Sequence, residues 1–234
     1  MVITLFKKGN LWQCQNYRTI ILISHPSKVI LKIMLSRLKP QAVKIIAEEL
    51  AGFRAGWSTT QQIFNLCEKN LPHQQDLCHV FRDFKKVFGR VWHAGLRATM
   101  KKYNISTNLF QVIKNLYEKA TSAILFNSSI GDWFWTTVGV RQGCLLSPTL
   151  FNIFLERIIT EALADHEGTV SIWGRTITNF RFADDIDGLA EEEEEMAKLV
   201  DCLNKAPTAY GMEISTKKMK LMTKTTVAST QRSK

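Results

Sequence analysis

The sequence predicts an α+β fold in which helices and mainly antiparallel strands alternate in an irregular order. Hydrophobic residues make up 45% of the 234 residues, which is enough to bury a sizeable core. Short β-like runs are mixed with helical repeats and do not follow the regular strand-helix-strand order of a doubly wound sheet. The sequence contains no internal repeat or long linker, so it predicts one large domain or two small ones.

Strands are predicted where β-branched and aromatic residues cluster in short runs, and helices where apolar residues recur every three or four positions. Pro40 is expected to end the first helix, because proline lacks the N–H that an interior helical position donates. The predicted elements are strands over Val2–Phe6, Arg18–Ile23, Leu77–Phe84, Thr121–Phe126, Trp133–Val138 and within Gly211–Leu221, a hairpin over Val170–Ile177, a second hairpin within Phe180–Leu189, and helices that begin near Pro26, Gln41, Thr60, Trp92, Leu109, Ser147 and Glu191.

Two of these helices have clear start signals. Ser147-Pro148 supplies an N-cap followed by proline at the first helical position, and the apolar pairs that follow predict a helix at the centre of the core. The run Glu191–Glu195 could be mistaken for a metal cluster. It is interpreted as the acidic first turn of a helix, which the helix dipole favours.

The chain carries an excess of positive charge. It has 31 Lys and Arg against 21 Asp and Glu, a formal net charge of +10 at pH 7. Such a charge favours a polyanionic partner, with nucleic acid the first choice and an anionic membrane the second. No apolar run reaches the roughly 20 residues that a spanning helix needs, so no membrane partner is expected. Nothing in the sequence indicates an oligomeric state.

The cysteines argue against a zinc site or a disulfide framework, because they are scattered and form no C-x-x-C pair. They are interpreted as reduced thiols of an intracellular protein, and the sequence does not distinguish nucleus from cytoplasm. The five cysteines are Cys14, Cys67, Cys78, Cys144 and Cys202.

Two adjacent carboxylates, Asp184 and Asp185, lie inside the apolar run Phe180–Leu189. Neighbouring strand side chains point to opposite faces, so a working pair is expected in a hairpin turn that breaks the strand. Asp83 lies near the end of another predicted strand, and pairing of the two strands would gather three carboxylates at one sheet edge. Three carboxylates can hold two divalent ions for an in-line phosphoryl displacement. Spacing alone leaves polymerase, nuclease and phosphatase chemistry open, and also an ordinary surface turn.

A basic loop, Ala51–Thr60, contains two glycines and Arg54. Backbone N–H groups at glycines and a nearby guanidinium suit contact with a phosphate group. An ordinary loop that caps the following helix explains the segment equally well. A second glycine-flanked loop, Gly139–Cys144, precedes the helix at Ser147.

Six stretches occur in the order found in the reverse transcriptases of non-LTR (LINE-type) retrotransposons, and they look most like those of the RTE (BovB-like) branch. Together they cover nearly the whole chain, and six ordered motifs are far more specific than any one of them. The stretches are NYRTIILISHPSKVILKIMLSRL, AGFRAGWSTTQQIFNL, DFKKVFGRVWHAGL, GVRQGCLLSPTLFNIFLERI, FRFADDIDGLA and YGMEISTKKMKLM.

This resemblance implies a right-hand polymerase whose antiparallel palm sheet packs on helices. A fingers-like segment is expected over residues 1–75, the palm over residues 76–222, and a disordered tail over residues 223–234. The endonuclease and the thumb of the family are expected to be absent from these 234 residues. The implied protein is a truncated and partly diverged copy of a mobile element.

The resemblance further implies RNA-directed DNA synthesis by nucleotidyl transfer, with two Mg²⁺ ions, or Mn²⁺ in their place, as cofactors. The implied partners are an RNA template, a DNA primer and deoxynucleoside triphosphates. A catalytically impaired remnant that only binds nucleic acid is the main alternative. A poorly folding relic without a biochemical role is a third.

The resemblance also assigns roles to single residues. Asp83, Asp184 and Asp185 match the catalytic, metal-binding aspartates. Phe88 matches the aromatic residue that underlies the nucleotide sugar and favours deoxynucleotides. The predicted nucleotide-binding residues are Arg18, Phe88, Gln142, Gly143, Lys218 and Lys220, and the predicted nucleic-acid-binding residues are Arg54 and Arg141.

Six positions depart from the family pattern: Leu50, Trp57, Arg82, Gly89, Pro207 and Met219. Arg82 stands where related sequences have a hydrophobic residue, Gly89 where they have aspartate, and Pro207 where they continue a helix. We expect Arg82 either to pair with Asp83 and compete with a metal ion, or to face solvent. Pro207 is expected to interrupt its helix, at a cost of about 3 kcal/mol if the position is interior.

Overall fold

The computed structural model describes residues 1–64, 77–126, 128–172, 174–215 and 219–224. The chain forms two compact units, one made of Met1–Ile46 and Lys86–Arg157 and the other of Ala47–Lys85 and Ile158–Lys234. The predicted fingers-palm boundary at residues 75 and 76 falls outside the described residues and stays a prediction. Most of the tail predicted over residues 223–234 also lies outside them.

The first unit contains a mixed four-stranded sheet and a two-stranded ribbon. Its strands are β1 (Val2–Phe6), β2 (Tyr17–Ile21), β4 (Thr121–Ser122), β5 (Ile124–Phe126), β6 (Ser129–Ile130) and β7 (Phe134–Trp135). The sheet has the order β2-β1-β5-β6, with β1 antiparallel to β2 and parallel to β5, and β4 pairs with β7. The pairing of β4 with β7 confirms the hairpin predicted after Thr121. Strand β6 lies between its two predicted strands, where the sequence predicted only a loop, and pairs with β5.

The helices of the first unit follow the predicted apolar repeats. They are α1 (His25–Ile45), α2 (Val87–Arg90), α3 (His93–Lys102), α4 (Thr107–Glu118) and the first part of α5 (Ser147–Ala162). Helix α1 begins after Ser24, whose hydroxyl accepts a hydrogen bond from the Ser27 amide. The predicted buried helix at Ser147 is confirmed, because Leu150, Phe151 and Phe154 on α5 are fully buried.

The prediction that Pro40 ends the first helix was wrong. Helix α1 continues through Pro40 to Ile45, so no separate helix begins at Gln41. Leu38 and Ala42 on either side of the proline are buried, whereas Pro40 itself is exposed. The packing of these two residues offsets the backbone hydrogen bond that proline cannot make.

The second unit is built on a four-stranded antiparallel sheet. Its elements are β3 (Leu77–Asp83), the hairpin β8 (Ser171–Ile172) and β9 (Arg175–Thr176), β10 (Asn179–Phe182), β11 (Asp185–Ala190), α6 (Glu193–Ala209) and β12 (Lys220–Lys224). The sheet has the order β10-β11-β3-β12. Residues 59–64 are helical and belong to the same unit.

The two faces of this sheet pack against different elements. Helix α6 packs on β11 and β3, where Leu199 lies close to Gly188 and Val80. On the other face, Leu77, Phe180 and Leu189 join Val170 and Ile172 in a buried cluster. Because strand side chains alternate, Asp83 and Asp185 share this second face with Leu77 and Leu189.

Both expectations for Arg82 were wrong, because the side chain is buried under α6. Its Nη1 donates to the Asn204 Oδ1 at 2.9 Å and to the Val200 carbonyl at 3.4 Å. Alternation along β3 sends it to the face opposite Asp83. Burial lowers the pKa of Arg82, partly opposed by the charge of Asp201, and its Nε has no hydrogen-bond partner.

The expectation that Pro207 interrupts its helix was also wrong. Pro207 lies within α6, which continues to Ala209. The Met212 amide donates to the Pro207 carbonyl at 2.9 Å, the Gly211 amide donates to the Thr208 carbonyl at 3.0 Å, and Gly211 has φ 72°. These contacts form a Schellman cap, which places Pro207 in the last turn of α6.

In the part of the chain that the structure describes, no helix is long and apolar enough to cross a membrane. The cysteines Cys14, Cys78, Cys144 and Cys202 are free thiols, and Cys67 lies outside the described residues.

We predict that Pro40→Ala stabilises the protein. Alanine supplies the missing backbone donor inside α1 and avoids the steric conflict of the proline ring, which together are worth about 1–3 kcal/mol. Denaturant unfolding would show a higher midpoint with an unchanged slope. Ser36→Ala, one turn earlier on the exposed side of α1, is the control and is expected to change stability by less than about 0.5 kcal/mol. An unchanged midpoint for Pro40→Ala would show that Pro40 does not destabilise α1.

We also predict that Arg82→Leu raises the free energy of unfolding. Leucine removes a buried guanidinium whose Nε is unpaired, while the half-buried Asn204 keeps access to water. Replacing buried charge by an apolar side chain of similar volume often stabilises by about 1–4 kcal/mol. Arg82→Lys keeps the charge and is expected to destabilise, so the two variants should differ in sign. A loss of stability in Arg82→Leu would show that the Asn204 contact outweighs the burial cost.

Candidate functional site

The pairing of β3 with β11 places two carboxylates opposite each other. In this register Asp83 stands directly across from Asp185, and their side chains lie on the same sheet face. The Cβ atoms of such a pair are typically about 4.5–5.5 Å apart. Asp83 and Asp184 are half-buried and Asp185 is exposed. The structure thus brings the three predicted aspartates to one sheet edge, and their catalytic role stays a prediction.

The predicted hairpin turn is confirmed and is very tight. Phe182 pairs with Asp185, which leaves Ala183 and Asp184 as a two-residue loop. Ala183 has φ 57°, a conformation that costs a non-glycine residue about 1–2 kcal/mol. Asp184 has no positive φ, so the strain lies at the first residue of the loop. The turn that carries the aspartates is therefore strained and needs support from its surroundings.

A buried imidazole-carboxylate pair lies on the same face as the aspartates and was missed in the sequence. The His79 Nδ1 is 3.1 Å from the Asp187 Oδ2, and both residues are buried. Burial raises the pKa of Asp187, and the hydrogen bond from His79 opposes that shift. Strand alternation could have located the pair, because His79 precedes Asp83 by four positions and Asp187 follows Asp185 by two.

The carboxylate edge suits a divalent cation that takes part of its ligands from elsewhere. Over the described ranges, no group of three or more His, Cys, Asp or Glu side chains is arranged to hold a metal ion. Mg²⁺ is commonly held by one or two carboxylates, with waters and substrate phosphates completing its shell. The opposed pair Asp83 and Asp185 fits that mode of binding, and a closed protein cage is not required.

One of the two predicted lysines lies on the carboxylate face. Lys220 in β12 pairs with Phe81, two residues before Asp83, and is exposed. It therefore shares the face of the aspartates and leaves its ammonium group open to solvent. Lys218 falls outside the described residues.

The predicted loop Gly139–Cys144 packs between two parts of the first unit. The Val140 amide donates to the Phe88 carbonyl at 2.6 Å, and the Gln142 carbonyl accepts from the Ile21 amide at 3.0 Å. Gly143 has φ 92° and approaches the Ile21 carbonyl so closely that an added Cβ would lie 3.3 Å from its oxygen. The loop thus joins the segment of Phe88 to β2.

Arg18 lies in this neighbouring strand. It pairs with Leu5 of β1, and its side chain is exposed. The first unit therefore holds Arg18, Phe88, Gln142 and Gly143 on segments that contact one another. Their predicted contacts with a nucleotide stay predictions.

His93 anchors the same loop and was not singled out in the sequence. Its Nε2 donates to the Gly139 carbonyl at 2.8 Å, and its ring lies edge-on to Tyr117 with centroids 5.1 Å apart. Burial raises the pKa of Tyr117 to about 12. A lone histidine in an apolar repeat gives no sequence signal for this contact.

Phe88 presents a half-buried ring against the core of its unit. The ring lies 5.0 Å from that of the fully buried Phe151, at an interplanar angle of 31°. The neighbouring Gly89 has open space where a Cβ would point, so a side chain could be accommodated there.

The two predicted nucleic-acid-binding arginines both contact backbone carbonyls. The Arg54 Nη1 donates to Ala47 at 2.7 Å and to Leu50 at 3.1 Å, and its guanidinium lies 4.5 Å above the Trp57 ring. The Arg141 Nη2 lies 3.5 Å from the Leu116 carbonyl. Arg54 therefore ties its loop to the residues that precede it. Contact of either residue with nucleic acid stays a prediction.

Comparison with known proteins gives consistent results. Residues 6–231 match the family described as reverse transcriptase (RNA-dependent DNA polymerase). A probable RNA-directed DNA polymerase from transposon X-element of Drosophila melanogaster is 30% identical over 73% of this chain and 18% of its own length. The RNA-directed DNA polymerase from mobile element jockey of Drosophila funebris is 28% identical over 59% of this chain and 16% of its own length.

Solved structures show the same fold. Apo telomerase from Candida tropicalis, truncated from its C-terminal domain, superposes with a TM-score of 0.61 at 18% identity. The match covers 87% of this chain and 41% of the telomerase chain, and it confirms the predicted α+β polymerase fold. The chain spans less than a fifth of the length of the curated relatives named above. The match over residues 6–231 shows that the chain belongs to the reverse transcriptase family, in agreement with its similarity to the enzymes of non-LTR retrotransposons.

Proposed function

We propose that this chain is the nucleotidyl-transfer core of an RNA-directed DNA polymerase from a non-LTR retrotransposon. The observation that carries the proposal is the register that sets Asp83 opposite Asp185 beside the Asp184 turn. In-line phosphoryl transfer needs positioning and neutralisation of charge more than a covalent nucleophile. A carboxylate edge on a sheet of this family supplies the ligands for that task.

The proposed cofactors are two Mg²⁺ ions, with Mn²⁺ as a substitute. When bound, they would neutralise the charge that develops on the attacking and leaving oxygens. Asp83, Asp184 and Asp185 would hold them, and the exposed ammonium group of Lys220 on the same face would attract the triphosphate. The hydrogen bonds within the sheet fix the backbone on which these groups stand.

The proposed substrates are deoxynucleoside triphosphates, a DNA primer and an RNA template. Arg18, Gln142 and Gly143 would contact the nucleotide, and Arg54 and Arg141 the nucleic acid. A formal net charge of +10 supports binding to a polyanion, with an affinity that falls as salt rises. The six ordered motifs support the finer assignment to the RTE (BovB-like) branch.

We predict that Asp184→Asn abolishes primer extension. Asparagine keeps the size of the side chain but removes the negative charge that a divalent cation requires. The measurement is extension of a DNA primer on an RNA template with Mg²⁺, where the variant should fall to background. Asp132→Asn, a change at an exposed carboxylate of the first unit, is the matched control and should extend as the parent chain does.

The same experiment separates the proposal from its alternative. A nucleic-acid-binding remnant predicts salt-sensitive RNA binding that survives Asp184→Asn and no extension by the parent chain. Metal-independent product, or equal product from parent and variant, would refute the assignment of Asp184.

We predict that Phe88→Ala relaxes the discrimination against ribonucleotides. The ring is held by Phe151, so its removal opens space that a 2′-hydroxyl could occupy. The preference for deoxynucleotides, measured as a ratio of kcat/KM values, should fall about 10-fold or more. Phe126→Ala, at an exposed strand position, is the control and should leave the ratio unchanged. An unchanged ratio in Phe88→Ala would show that the ring does not border the sugar.

A further inference from the structure

A short backbone segment runs along the outer edge of β10, immediately before the strained turn. The Arg181 amide donates to the Glu49 carbonyl, and the Ala51 amide donates to the Arg181 carbonyl, both at 2.9 Å. Leu50 and Arg181 form a parallel bridge. The segment therefore acts as one further, very short strand beside the hairpin that carries Asp184 and Asp185.

Gln62 ties this segment to the strand. Its Nε2 donates to the Glu49 carbonyl and to the Arg181 carbonyl, each at 2.9 Å. The Gln62 side chain is half-buried. Its carboxamide thus bridges the two backbone segments beside the hydrogen bonds that join them. The segment is fixed in turn by Arg54, which donates to the carbonyls of Ala47 and Leu50.

Gly52 touches the turn itself. A Cβ at this position would lie 2.1 Å from the Ala183 amide nitrogen, 2.8 Å from the Ala183 Cα and 2.9 Å from the Phe182 carbonyl carbon. All three are backbone atoms, so no flexible side chain can move aside. Gly52 does not have a positive φ, and it is therefore required for space and not for its conformational freedom.

The contact falls on the residue where the turn is strained. Ala183 holds φ 57°, which a hairpin free of constraint would tend to relax. The backbone of Gly52 lies against the amide nitrogen of this residue, and Gln62 holds the strand two residues earlier. The support acts directly on the loop that contains Asp184.

We infer that Gly52 and Gln62 are positioning residues that hold the Asp184-Asp185 turn in place against Asp83. The inference rests on the proposed function, because it assumes that these aspartates carry the reaction. A shift of about 1 Å in such groups can lower a rate about 100-fold. Neither residue contacts the reacting atoms, so each would affect the reaction only by fixing the position of the turn.

The test compares Gly52→Ala and Gln62→Leu with two matched controls. Gly131→Ala adds a Cβ that lies 3.6 Å from the Ile124 carbonyl oxygen, an ordinary contact. Gln61→Leu changes the exposed neighbour of Gln62. Two readouts are taken: amide hydrogen exchange of the peptide over residues 180–189 without metal, and kcat and KM for deoxynucleotide in primer extension.

We expect both test variants to exchange faster in that peptide, by about 10-fold or more, while other sheet peptides change little. Primer extension should lose kcat about 10- to 100-fold, with KM changed by less than about threefold. The two controls should match the parent chain in both readouts. This pattern differs from a purely structural defect, which would accelerate exchange throughout the unit.

Unchanged exchange over residues 180–189 in folded Gly52→Ala and Gln62→Leu would overturn the inference. If Gly52→Ala does not fold, Gln62→Leu decides, because it removes two hydrogen bonds without adding a clash. A parent chain without primer extension would refute the proposed activity instead, and the exchange measurement would still report on the support of the turn.

Discussion

The antiparallel pairing of β3 and β11 is the constraint on which the site depends. It sets Asp83 directly across from Asp185 on the same face of the sheet. The pair is stable because β10 and β12 flank the two strands and because the ends of the strands remain open to solvent. Under the proposed function, backbone hydrogen bonds thus create the place where a divalent cation would bind.

Successive side chains along these strands point to opposite faces of the sheet, and this alternation divides the polar residues between the two faces. Asp187 and His79 follow the aspartates onto one face, whereas Arg82 is sent to the other face under α6. Each buried group then finds a partner on its own side, His79 for Asp187 and Asn204 for Arg82. The guanidinium next to Asp83 in sequence therefore does not neutralise that carboxylate.

Sequence signals predicted the elements whose cause is local. The start of α5 at Ser147, its apolar repeat and the aspartate hairpin depend on residues a few positions apart, and the structure contains all three, although Ser147 is the first helical residue and not the predicted N-cap. Pro40 failed as a stop signal because the packing of Leu38 and Ala42 overrides it. Gly52 could not be assigned from the sequence, because its neighbour Ala183 comes close to it only in the folded chain.

The strain at Ala183 explains why the turn is supported from outside. Glycine at this position would adopt φ 57° without cost, but it would also allow several other backbone conformations. Alanine restricts that freedom, and the segment from Glu49 to Gly52 together with Gln62 then selects the strained conformation. The free energy stored in one residue is small beside the contacts that hold it. Under the proposed function, such a turn would hold its two aspartates fixed before a substrate binds, as charge stabilisation without reorganisation requires.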